Sequence, residues 1–249
     1  SFSCSSYDNC HVPWGNRHEG TLHAVKDNGF ISGQYVWTGF DYIGEPTPYG
    51  WPARSSYFGI VDLAGFPKDI YYMYQSEWNT DKTVLHLFPH WNWIPGQEID
   101  LWAYYNHADE VELFVNGQSQ GTRSKGKNNF HVAWRVKFEP GTIKAISRMN
   151  GKVVAEKSIH TAGEPAQIRL TPDRCTIQAD GRDLSFVTVE IMDKEGNLCP
   201  NAENDVIFTL EGSGFIAGVD NGSPISMEKF KDNHRKAFYG KCLVVVQNN

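Results

Sequence analysis

From about Lys82 onward the chain alternates apolar and polar residues in short runs separated by turns. The runs 84–91 (VLHLFPHW), 98–106 (EIDLWAYYN), 110–121 (EVELFVNGQSQG), 131–138 (HVAWRVKF), 141–151 (GTIKAISRMNG) and 152–160 (KVVAEKSIH) each fit strands with one buried face. Asn116-Gly117, Pro140-Gly141 and Asn150-Gly151 supply turns, and Asn-Gly between alternating runs is a strong hairpin signal. Six or seven strands in roughly 80 residues predict a β-sandwich of immunoglobulin size. A second set, 166–172, 175–180, 185–193, 205–212, 214–222 and 236–247, predicts another sandwich after a short linker at 160–165. The last run stops at Asn249, about where one more strand completes such a sandwich, so this end reads as cut.

The first 80 residues have a different texture. Residues 17–27 have helical character, with Leu22, Ala24 and Val25 near one face and Asn28-Gly29 as the stop. Residues 30–38 show little alternation and predict a short strand buried on both faces. A Gly- and Pro-rich loop follows. Pro67 then precedes a helix from Lys68 or Asp69, with Ile70, Met73, Tyr74 and Glu77 at helical spacing. Helix, buried strand, loop and helix form the repeating unit of an α/β barrel or a doubly wound sheet.

Composition narrows the classes. Apolar content of 40% and charge of 21% describe a globular chain, and the net charge of -6 lacks any basic block, which argues against nucleic acid as a partner. No apolar run approaches the roughly 18 residues of a membrane span. The N-terminus SFSCSSYDNC lacks a Met, a basic stretch and an apolar stretch, so it reads as a mature or excised start. The 5 cysteines are too few and too scattered for a disulfide framework, although Cys4 and Cys10 are close enough in sequence to bridge. Cys10, His11, His18 and His23 match no zinc spacing, and GSGFIAGVDNG leads into no helix, so it reads as sandwich turns rather than a nucleotide loop.

Candidate chemistry concentrates in 33–51, GQYVWTGFDYIGEPTPYGW. In an α/β barrel the working groups sit at the C-terminal strand ends and in the loops beyond. Trp37 falls at such an end, with Asp41, Tyr42 and Glu45 behind it. A sugar needs an indole for its C–H face and carboxylates for its hydroxyls, and these residues supply both. Plainer roles are also open: core packing for Trp37, a turn for Asp41, a solvated loop carboxylate for Glu45.

WTGFDYIGEPTPY and ARSSYFGIVDLAGFPKDIYYMYQSEW resemble the end of the catalytic barrel of glycoside hydrolase family 2, in particular β-galactosidase-like members from gut Bacteroidetes. VELFVNGQSQG and IAGVDNGSPISMEKFKDNHRKAFYGKCLVVV resemble the modules that follow it. The resemblance implies the C-terminal end of a (β/α)8 barrel over 1–80, then immunoglobulin-like sandwiches over 81–162 and 163–249, the second truncated. It implies a retaining exo-glycosidase acting on terminal β-D-galactosides by double displacement, with two carboxyls about 5–5.5 Å apart. It places that pair before this chain. No Asn-Glu occurs in the first 80 residues, and Glu19, the only Glu ahead of Trp37, lies in the predicted helix and is not assigned. Trp37 matches the tryptophan that floors the subsite of the sugar being cleaved, with a cis Trp37–Thr38 peptide; Asp41 and Glu45 are candidates for hydroxyl contacts.

Departures narrow the specificity. Family β-glucuronidases carry Asn-x-Lys before the Gly-Ile that matches Gly59-Ile60; here Ser56 and Phe58 stand there and offer no cation. Phe58 also replaces a sodium-ligating Asn of some β-galactosidases, so no metal and no cofactor is expected on these residues. β-Mannosidase or β-glucuronidase specificity stays open as an alternative within the family. A bacterial periplasmic, secreted or cell-surface location is expected. A different class of reading is a carbohydrate-binding or spacer unit, with His90, Trp91, Trp93, Trp102 and Trp134 as a sugar-binding face. Alternation in 98–106 sets Leu101, Ala103 and Tyr105 on one face and Trp102 and Tyr104 on the other, the second aromatic face being exposed or packed on the preceding segment.

Overall fold

Alternation becomes sheet wherever one face can be buried. The computed structural model describes residues 2–127 and 129–248. β1 (Leu85–Phe88), β2 (Glu98–Tyr105) and β5 (His131–Lys137) form an antiparallel sheet in the order β1-β2-β5. β3 (Glu110–Val115), β4 (Gln118–Arg123), β6 (Thr142–Met149) and β7 (Lys152–His160) form the facing sheet, ordered β4-β3-β6-β7. Leu101 pairs with Trp134 and Ala103 with Val132; their side chains meet Val111, Leu113 and Ile143 in a closed core. Asn116 (φ 49°) and Gly117 (φ 80°) close the β3–β4 hairpin, and Asn150 (φ 50°) and Gly151 (φ 74°) close β6–β7. Left-handed backbone at both central positions is what a two-residue hairpin demands, and Asn-Gly accepts it. Pro140-Gly141 instead carries the chain from one sheet to the other.

A second four-stranded sheet, ordered β11-β13-β9-β8, contains β8 (Gln167–Pro172), β9 (Leu184–Met192), β11 (Gly214–Asp220) and β13 (Lys241–Asn248). It faces a two-stranded ladder of β10 (Asp205–Ile207) and β12 (His234–Lys236) across Val189, Ile191, Val206 and Val244. Three expected strands differ, and of 205–212 only Asp205–Ile207 is strand. Residues 175–180 are not a strand: Asp183 accepts Gln178 N–H (2.9 Å), and just beyond the run Asp180 accepts Arg182 and Asp183 N–H (2.9 and 2.8 Å), turning the chain into β9. The run 236–247 divides, since Tyr239 (φ 50°) and Gly240 (φ 75°) turn the chain before β13.

The first 80 residues pack helices against this framework. α1 (His18–Asp27) starts where the Asp8 carboxylate accepts His18 and Glu19 N–H (3.0 and 2.7 Å), a cap reached from ten residues away. Asn28 ends it, donating from Nδ2 to Ala24 O (2.9 Å). Leu22 is buried, whereas Ala24 is exposed. α2 (Asp69–Trp78) buries Met73 and Tyr74 against Phe88 and Tyr104. Trp102 joins Tyr104 in that contact, so the second aromatic face of β2 packs on the preceding segment. Residues 30–38 are not the doubly buried strand expected: no ladder forms there, and Phe30, Tyr35 and Trp37 are exposed. Backbone bonds with Phe58 (3.1 Å) and Ile60 (3.0 Å) reach only Thr38 at the end of the run, and Val36 packs beside Met73 and Tyr74, but a buried parallel strand needs a ladder on each side and none runs along 30–37 among the described residues. No described helix is long and apolar enough to cross a membrane.

Candidate functional site

Residues 37–68 form a folded rim held by a few specific bonds rather than by a sheet. Phe40 bridges Val61 in parallel, and Ile43 bridges Ser55 antiparallel. Gly59 lies where these segments meet: a Cβ there would stand 2.2 Å from Asp41 N and 2.4 Å from Val61 O. Only glycine permits that approach. Its N–H donates to Asp41 Oδ1 (2.8 Å), while Lys68 Nζ lies 2.6 Å from Asp41 Oδ2. Burial pushes the Asp41 carboxyl above the usual carboxylate range, against the opposing pull of Lys68 and the Gly59 N–H.

Trp37 projects from this rim with 73% of its surface open. Its Nε1–H donates to Tyr42 Oη (3.2 Å), the rings meet edge to face at 6.2 Å, and Tyr42 in turn donates to the Glu45 carboxylate. Glu45 holds a left-handed backbone (φ 49°). The Trp37–Thr38 peptide is cis, as expected. The structure therefore joins Trp37 and Glu45 through Tyr42, while Asp41 is buried and engaged by Gly59 and Lys68. An indole face beside a carboxylate and a phenol can stack on the C–H face of a sugar and bond its hydroxyls.

The aromatic residues proposed as a sugar-binding face of the first sandwich are dispersed. Trp91 and Trp134 are in its core, Trp93 stacks on His90 at 4.5 Å, and Trp102 stacks on His131 at 3.6 Å. Trp91 and Trp134 are buried and closed to a ligand, while His90, Trp93 and Trp102 are half-buried and lie in separate stacks, so the five rings form no common face. Glu19 accepts from His131 Nδ1 and from Phe130 N–H (3.4 Å), fastening α1 to the sandwich. A cleft of about 600 Å³ opens there, lined by Asp8, Arg17, Glu19, His23 and His131, apart from the residues of the rim. Cys4 and Cys10 are unbridged.

Comparison with known proteins places this geometry. Residues 168–249 match the family model Glycoside hydrolase family 2 C-terminal domain 5, and residues 96–155 match a domain of unknown function (DUF4982). Beta-galactosidase BoGH2A of Bacteroides ovatus is 76% identical over 249 residues, 100% of this chain and 29% of that protein. A putative beta-glucuronidase of Formosa agariphila is 38% identical over 98% of this chain and 24% of its own length. A solved beta-glycosidase from Bacteroides vulgatus superposes with a TM-score of 0.92 at 35% identity, covering 99% of this chain and 31% of that one. The class is that of the sandwich domains found at the C-terminus of glycoside hydrolases. More narrowly, the chain belongs to glycoside hydrolase family 2, and it spans less than a third of the length of these relatives.

Proposed function

We propose that the chain is the C-terminal part of a retaining exo-glycosidase that hydrolyses terminal β-D-galactosides, with both catalytic glutamates in residues preceding it. The observation that carries this reading is the 76% identity, across the whole chain, to a protein named a beta-galactosidase. Residues 1–80 then complete a (β/α)8 barrel, which would cover the exposed Phe30 and Tyr35. Residues 81–162 and 163–249 are immunoglobulin-like modules. Trp37 is the floor of the subsite for the sugar being cleaved, and Glu45, oriented by Tyr42, meets its hydroxyls. Asp41, whose oxygens are held by Gly59 and Lys68, serves that site by positioning the rim. The glycan is met outside the cytoplasm, in the periplasm or at the cell surface.

A β-glucuronide reading is favoured by the Formosa relative but lacks a cation at the matching positions. Ser56 is fully buried and its hydroxyl accepts Tyr42 N–H (3.1 Å), while Phe58 is apolar. The test is a panel of nitrophenyl β-glycosides offered to this chain and to a polypeptide extended to the length of its relatives. The extended protein is expected to cleave the galactoside in preference to the glucuronide and mannoside, and the 249-residue chain to cleave none. Cleavage by the chain alone, or preference for the glucuronide, would refute the reading.

A further inference from the structure

The second sandwich touches the rim that carries Trp37. Arg54 N–H donates to Pro224 O (2.9 Å), and Gly222 packs so closely on Asp62 that a Cβ there would lie 2.3 Å from its Oδ2. The Arg54 guanidinium lies 5.4 Å from the Phe230 ring, and Arg235 lies 5.6 Å from the same ring. Arg235 is completely buried. Its Nη2 donates to Val219 O (2.8 Å) and Lys229 O (2.7 Å), and its Nη1 to Ser226 Oγ (3.3 Å), which fixes the loop after β11 to its own sheet. Asn221, also buried, donates to Lys236 O (2.9 Å). The loop is thus a stiff projection of the sandwich.

From Arg54 the contacts continue to the platform. Gly44 N–H donates to Arg54 O (2.7 Å), and Ser56 N–H donates to Tyr42 O (2.8 Å). Tyr42 then holds both Trp37 and Glu45. We infer that the loop 221–230 of the second sandwich is a positioning element of the sugar platform: it braces Arg54 and Asp62, and through Tyr42 it sets the orientation of Trp37 and Glu45. The module is then neither a spacer nor an independent binding unit. This rests on Trp37 as the platform, and the experiment separates the two claims. Contiguity alone does not establish coupling, so the coupling itself is what must be measured.

Two glycine variants in the same sandwich form a matched pair. Gly222 (φ +75°) and Gly196 (φ +83°) carry the same backbone penalty when changed to Ala, but only Gly222 faces the rim; Gly196 has nothing within 4 Å of a Cβ. The readout is the indole N–H cross-peak of Trp37 in the full chain, assigned with Trp37→Phe. Gly222→Ala is expected to move that peak while leaving those of Trp91 and Trp134 in place, and Gly196→Ala to leave all three unmoved. An unmoved Trp37 peak in folded Gly222→Ala would overturn the inference. Where Gly222→Ala fails to fold, Phe230→Leu is read in the same way, with the same two outcomes. In the extended enzyme, Gly222→Ala is expected to raise KM for nitrophenyl β-galactoside relative to Gly196→Ala. A shifted indole with unchanged KM supports the brace and counts against Trp37 as the platform.

Discussion

Asp62 sits at the contact between the rim and the second sandwich, and replacing it with Asn separates its charge from its shape. Its Oδ1 accepts Phe66 N–H (2.9 Å), a bond the Asn carbonyl retains. Burial raises its pKa from 3.8 to about 7, with Asp220 adding to the rise and Lys68 and the backbone donors opposing it. The folded state therefore holds a proton that the unfolded state has released. The stabilisation this represents is complete below about pH 4 and is lost as pH rises through about 7. The full change corresponds to roughly 4 kcal/mol, and partial contact with water screens it to roughly 2–3 kcal/mol. For a chain of this size that is on the order of 4–10 °C in melting temperature. Thermal unfolding by circular dichroism at pH 5 and pH 8 measures it. The native chain is expected to lose roughly three-fifths of it between the two, the rest being lost already below pH 5, and Asp62→Asn to lose little, ending the more stable of the two at pH 8. Parallel pH dependence in both would show that the carboxyl ionises in the fold without penalty, and the argument from burial would fail.

Gly59→Ala forces a Cβ to within 2.2 Å of Asp41 N, where only backbone could yield; it should cost roughly 2–4 kcal/mol in guanidinium unfolding. Gly141→Ala meets Asn116 Oδ1 at 1.9 Å and strains a φ of +139°, which would dislodge the bond from Thr142 N–H to Asn116 (2.8 Å); roughly 1–3 kcal/mol should be lost by the same measurement. Tyr42→Phe removes the oxygen between Trp37 and Glu45 on an open surface. Melting should stay unchanged while the Trp37 indole N–H signal shifts and its solvent exchange quickens.

Most of the sheet was legible because its physical cause is local. In 98–106 the alternation of Leu101 and Ala103 against Trp102 and Tyr104 stated both faces of β2, and both faces found partners. Asn116-Gly117 and Asn150-Gly151 stated their hairpins outright. The helix after Pro67 began where its start signal stood. Failures came where the decisive partner is remote. The run 30–38 has the composition of a buried strand, yet composition names no neighbour for it. In 175–180 the Asp183 carboxylate captured the Gln178 N–H that a ladder would have used. At the site, Trp37 could be singled out by its place in an aromatic, Pro-rich stretch. The reach of Asp8 to α1, the pairing of Glu19 with His131 across 112 residues and the brace at Gly222 leave no spacing pattern to read.

The central claim is that Trp37 forms one wall of a β-galactoside site whose working carboxylates lie outside this chain. Its most direct test is kcat/KM for nitrophenyl β-galactoside in the extended enzyme with and without Trp37→Ala, alongside the melting temperature of each. Because Trp37 is 73% exposed in this chain, the substitution should leave the chain's melting within about 1 °C. It should lower kcat/KM by at least about thirtyfold, the equivalent of losing roughly 2 kcal/mol of contact with the sugar ring. Full activity in Trp37→Ala would contradict the account.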